Sequence, residues 1–163
     1  MSRDAQTYCK ALEQVAALQQ CHDFDGALQV IDELLADDPH SSLLHLRRAV
    51  LLQVSRASRP LEEVEQALQL ACAFDDTNIE AQLEWGHFLD AVRDRPQEAL
   101  DHFTIASKLA VESLKDALLG RVRCLIQLDQ QDAALETLRE AERCFPDDTD
   151  VELLRADLDP PSG

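Results

Sequence analysis

Glycine is scarce in this chain: four residues among 163, at positions 26, 86, 120 and 163. A phosphate-cradling loop needs glycines clustered so that successive backbone N–H groups can face an anion, and this scatter excludes one. Basic residues are scarce too, 15 Lys and Arg against 32 Asp and Glu, for a net charge of −17. Nucleic acids and anionic membranes are bound through cationic surface, so neither is an expected partner. A basic or neutral protein or peptide is electrostatically favoured.

No apolar run approaches the ~20 residues that cross a bilayer. The opening MSRDAQTYCK has no apolar leader core. Cysteine occurs five times (Cys9, Cys21, Cys72, Cys124, Cys144), an odd number without a C-x-x-C pair. That usage fits a reducing, cytoplasmic setting in which Cys serves as a small buried hydrophobe. The five histidines form no H-E-x-x-H and no Cys/His set at metal spacing. The pairs Asp37/Asp38, Asp75/Asp76 and Asp147/Asp148 lack the Gly and Glu offsets of a calcium loop. No cofactor, no metal and no catalysis are expected.

What the chain does contain is helix former: Ala, Leu, Glu and Gln within a 45% hydrophobic composition, with few Val, Ile and Thr runs. FDDTNIEA (74–81) and FPDDTDVE (145–152) spell nearly the same acidic turn. Thr77 with Glu80, and Thr149 with Glu152, fit the S/T-x-x-E capping box, so each turn is expected to open a helix. Pro60 and Pro96 suit first helical turns, with Glu62, Glu63 and Glu98 at the positive helix end.

The turns belong to a longer period. Ala27, Val64, Ala99 and Ala134 are spaced by 37, 35 and 35 residues, each followed by apolar residues on one helical stripe. Ahead of them stand Val15 with Leu18, Ala49 with Leu52, Gly86 with Leu89, and Val122 with Leu125. The gaps from small residue to anchor are 12, 15, 13 and 12, so the second unit carries a three-residue insertion and the third one extra residue. In this pattern the chain resembles the tetratricopeptide repeat (TPR) family, whose signature runs W-x2-L-G-x2-Y, A-x3-F and P over about 34 residues. HDFDGAL (22–28) matches its inter-helix turn, and EWGHFL (84–89) keeps its Gly. The first signature aromatic is missing in every unit, and the helix-ending Pro survives only at Pro39 and Pro146. The resemblance implies an all-α, right-handed superhelical solenoid of about four helix-turn-helix repeats, at 7–40, 41–77, 78–112 and 113–148. A capping helix at 149–158 and a tail at 159–163 would complete a single domain.

The resemblance further implies that helix A residues line a concave groove that binds a partner peptide or helix. Counting from the small residues places Leu12, Leu46, Leu83 and Leu119 in that groove as a row. With them come Glu13, Arg47, Val50, Glu84, His87, Asp90 and Arg123. A solvent-facing leucine row makes an apolar track, with Glu13, Glu84 and Asp90 setting charge and Arg47 and Arg123 gripping acids. Leucines padding the interface between successive helices is the competing reading. The family's carboxylate clamp of Lys, Asn and Arg is not matched, since Leu12 and Ala16 stand in its first two places.

A second surface is expected at the insertion, where 39–61 holds no acid but Arg47, Arg48, Arg56 and Arg59. Arg56 and Arg59 would meet an acidic or phosphorylated partner, or else the protein's own acidic surface. The function expected is a non-catalytic, cytoplasmic interaction adaptor. A chaperone for a secreted or assembling client, and a self-associating homo-oligomer, are the alternatives.

Overall fold

The computed structural model describes residues 5–55 and 59–158, and all regular structure among them is helical. The order is α1 Ala5–Gln20, α2 Phe24–Asp37, α3 Ser42–Val54, α4 Leu61–Phe74, α5 Ile79–Ala91, α6 Pro96–Gln127, α7 Gln131–Cys144 and α8 Thr149–Leu158. Two compact units divide the chain, one up to Ala106 and one from Ser107.

In the first unit, α1 packs on α2, α2 on α3, α3 on α4 and α4 on α5, each helix beside its neighbour in sequence. The small residues Val15, Ala27, Ala49, Val64 and Ala99 are all buried there. Short side chains at these crossings let the helix axes approach closely, while Ile31, Leu34, Leu44, Leu51, Leu68 and Leu89 fill the core between them. The second unit repeats the scheme with Val122, Ala134 and Ala141 at the crossings. Leu118, Leu119 and Leu138 form its core, and Val151 and Leu154 of α8 close it.

Two kinds of turn alternate. Within a hairpin, the chain reverses through a residue in the left-handed region: His22, Asp94 and Asp129, with φ of 58°, 52° and 55°. Asp and His tolerate that region better than most residues with a Cβ. The N–H groups of Asp23 and Gln130 donate back to the carbonyls of Leu18 and Leu125, at 2.9 and 3.0 Å. These bonds satisfy helix-end carbonyls in the Schellman manner. Arg95 N–H reaches Leu89 O at 2.9 Å across one residue more, which accounts for the extra residue of the third repeat.

Between hairpins, Ser41 and Asn78 cap α3 and α5, accepting from the N–H groups of Leu44 and Ala81. Asp148 does the same for α8, accepting from Asp150 and Val151. The expected capping boxes are therefore corrected. Thr77 Oγ1 donates to Asp75 Oδ1 at 2.6 Å instead of capping, and Thr149 is already the first helical residue. The shorter Asn and Asp side chains sit at the position from which a carbonyl or carboxylate oxygen reaches the free N–H groups. Pro60 likewise falls one residue ahead of α4, as its N-cap.

The larger difference lies in α6. A repeat boundary at 112/113 would need a turn, yet this helix runs unbroken for 32 residues across that point. From 97 to 119 the chain holds neither Pro nor Gly. Ala, Leu, Lys and Glu dominate the stretch, so nothing local stops helix propagation.

Candidate binding groove

The groove of the first unit lies between α1 and α3. Leu12, Val15, Ala16 and Gln19 form one wall, Leu43 and Arg47 the other, around a volume of about 130 Å³. Helical period places these residues: 12, 15, 16 and 19 fall on one stripe of α1, and 43 and 47 are one turn apart on α3. The floor is Val15 and half-buried Leu12; the rim is Leu43, 40% exposed, with Arg47 beside it.

Charge distribution distinguishes Arg47 from its neighbour. Arg48 Nε donates to Asp32 Oδ1 at 2.8 Å, and its Nη2 lies 3.7 Å from Glu63. Arg47 is exposed and has no acidic partner among the described residues. An exposed guanidinium at the edge of an apolar groove has the chemistry to pair with a carboxylate.

The other expected groove residues divide. Leu46 is 1% exposed and belongs to the core of the first unit, and Leu119 is buried in the second. The solvent-facing row of four leucines is thus corrected, because the 46 and 119 side chains point inward from their helices. Val50 is half-buried against the core, Glu84 is half-buried, and Glu13, Asp90 and Arg123 are exposed. Leu83 remains 38% exposed, and His87 sets its ring edge-on to Phe103 at 5.0 Å. Leu43 was not among the expected residues, although it lies three before Leu46, the spacing that would have placed it on a neighbouring stripe.

Two arginines of the island, Arg48 and Arg59, pair with acids of the chain itself. Arg59 reaches Asp25 at 3.7 Å and Glu63 at 3.9 Å, while Ser55 Oγ donates to Asp25 at 2.8 Å. Arg56 lies outside the described residues.

The second unit has its own hollow, about 520 Å³, between the later part of α6 and α7, lined by Arg121, Cys124, Leu125, Glu136, Thr137 and Glu140 among others. Arg121 approaches Glu140 and Thr137 only at 3.5 Å, so its guanidinium is loosely held.

Titratable groups offer little chemistry. Burial pushes the Cys72 thiol up to about 11, leaving almost no thiolate at neutral pH. Cys9, Cys21, Cys124 and Cys144 are exposed, which corrects the expectation of buried cysteines; Cys21 lies in the turn after α1, and the other three are on helices. Burial also lowers the His102 pKa. Its Nδ1–H donates to Gln82 Oε1 at 2.7 Å, while Gln82 Nε2 donates to Asp76 O at 3.1 Å. This neutral imidazole braces α5 against the start of α6. Among the described residues no three His, Cys, Asp or Glu side chains gather as a metal site, and no helix is long and apolar enough to cross a membrane.

No family model matches the chain. A Myxococcus xanthus protein, described as an uncharacterized 18.1 kDa protein in the carS 3' region, is 35% identical over 108 residues, covering 64% of each chain. The solved structure of Pseudomonas aeruginosa pilF, reported in a functional characterization, matches 91% of this chain at a TM-score of 0.54 and 22% identity. The fold is a TPR-like helical repeat. The chain spans just under two thirds of each of these relatives, 64% and 66% of their lengths.

Proposed function

We propose that the chain is a non-catalytic interaction adaptor that binds an apolar peptide or helix segment of a partner protein in the α1/α3 groove. The segment would carry an acidic group that pairs with Arg47. The observation that carries this reading is Arg47, exposed and uncommitted beside exposed Leu43, while Arg48 and Arg59 are paired with acids of the chain itself. Apolar contacts from Leu12, Ala16 and Leu43 would supply affinity, and the guanidinium would set direction and register. Support for a protein ligand also comes from the TPR-like fold, and the cytoplasmic setting remains part of the reading.

The test is peptide-display selection on the wild-type protein, followed by calorimetry of the enriched peptides. Expected are apolar sequences with one Asp or Glu, bound about tenfold or more weakly by Arg47→Glu, a loss of ~1.4 kcal/mol or more. Leu43→Asp should abolish the binding. Peptides bound equally by wild type and both variants would remove the groove from the account.

A further inference from the structure

One stripe of α3 faces solvent in whole or in part: Leu43, Arg47, Val50 and Val54, each three or four residues after the one before. Leu43 is 40% and Val54 46% exposed, and Val50 is half-buried. The core contacts of this helix come from other sides, where Leu44, Leu51 and Leu52 are buried. The open stripe is therefore apolar along its length except for the single charge of Arg47.

Acids stand beside it without cations to answer them. The start of α5 is tied to the start of α3 by Asn78 Nδ2, which donates to Ser42 Oγ at 3.0 Å. At 37 residues on from Leu43 and Arg47, α5 carries Glu80 and Glu84. Glu80 is exposed and Glu84 half-buried. They lie one helical turn apart, a spacing at which like charges repel. Neither has an ion pair among the described residues, since Arg48, Arg59, Arg93 and Arg95 are engaged with Asp32, Asp25, Glu62 and Glu65. His87, the next residue along this side of α5, sets its ring against Phe103. On α1, by contrast, Glu13 follows Lys10 by one turn, so the charges there are balanced. The imbalance is confined to the α5 side.

Resting on the groove function proposed above, we propose that the partner segment is an amphipathic helix of net positive charge. Its apolar stripe lies on Leu43, Val50 and Val54, one Asp or Glu within that stripe meets Arg47, and Lys or Arg residues along one flank meet Glu80 and Glu84. A straight apolar stripe on one helix is matched by that of another. Charge complementarity decides the rest. The chain carries a net charge of −17 and repels an acidic segment before contact, so a carboxylate reaches Arg47 most readily on a carrier of opposite overall charge. Acids on the α5 side of the segment would face Glu80 and Glu84 and be rejected, which fixes the direction in which the helix lies.

Selection from a display library of helix-forming peptides of about 15 residues tests the charge pattern. It is run in parallel on wild type and on the double variant Glu80→Gln with Glu84→Gln, which keeps side-chain size. Wild type is expected to enrich Lys and Arg on one flank of an apolar stripe that holds an Asp or Glu. The double variant is expected to keep the stripe and its acid but to lose the basic flank, and to bind the wild-type peptides about tenfold or more weakly. Their rate of association with wild type should fall as salt is added. The same flank composition in both selections, or a rate that rises with salt, overturns the net-basic helix; the groove function then survives if Leu43→Asp still abolishes binding. No enriched peptide, or peptides bound equally by wild type and Leu43→Asp, overturns both. If circular dichroism shows that the double variant has lost its helices, the salt dependence on wild type decides alone.

Discussion

Gly86 of α5 lies against the ring of Phe103 on α6: a Cβ at position 86 would stand 2.8 Å from Phe103 Cε1 and 3.0 Å from both Cδ1 and Cζ. The same ring meets that of His87 edge-on, with centroids 5.0 Å apart. Gly86→Ala gains about 1 kcal/mol of helix propensity but meets an overpacking cost of about 1–3 kcal/mol. Net destabilisation is expected. Gly120, also helical, has nothing within 4 Å of its would-be Cβ. Gly120→Ala should therefore stabilise by about 0.5–1 kcal/mol. Urea unfolding of the two variants should give midpoint shifts of opposite sign, and shifts of the same sign would contradict the close contact at Gly86.

The inter-hairpin caps make a second prediction. Asn78 Oδ1 accepts from Ala81 N–H at 3.1 Å, and its Nδ2 donates to Ser42 Oγ at 3.0 Å, tying α5 to the start of α3. Asn78→Ala loses both and should cost about 1–2 kcal/mol. Thr77→Ala removes only an exposed hydroxyl bonded to Asp75 and should cost about half a kcal/mol or less. Thermal melts of the pair distinguish the observed cap from the capping box that the T-x-x-E spelling favours.

These residues show what could be read in advance. The repeat period was legible because the small residues at helix crossings leave a strict spacing, and Val15, Ala27, Ala49, Ala99 and Ala134 are all buried as that spacing implies. The cap was displaced by one residue because Thr, Asn and Asp are all competent caps and the choice depends on where the preceding helix ends. The groove was less legible. Position 46 and position 83 look alike in the repeat register, yet one is core and the other is surface. Continuity of α6 leaves the weakest trace, being written only as a missing proline at 111.

Position 46 therefore behaves differently from position 43, although both are leucines on α3. Leu46→Ala opens a cavity in the first unit's core and should cost about 2–5 kcal/mol. Leu43→Asp, at the groove rim, should change stability by about half a kcal/mol or less. A calorimetric scan that placed both variants within experimental error of wild type would contradict the inward orientation of Leu46.

The second unit carries a pH-dependent contact. Lys115 Nζ donates to Asp148 Oδ2 at 2.9 Å and approaches Asp150 Oδ2 at 3.4 Å. The Lys115 hydrogen bond, together with the N–H groups of Asp150 and Val151, holds the Asp148 carboxyl below its ordinary range. Its folded pKa is thus lower than in the unfolded chain, where a free Asp titrates near ~3.9. The contact contributes fully above that value and is lost as pH falls through the folded pKa. Asp148→Asn leaves an N-cap oxygen for α8 but removes the charge. The wild type should be the more stable of the two at pH 7, and the difference should shrink steadily below about pH 4. A constant difference from pH 7 to pH 2 would show that capping alone, not the Lys115 pair, fixes the α8 turn.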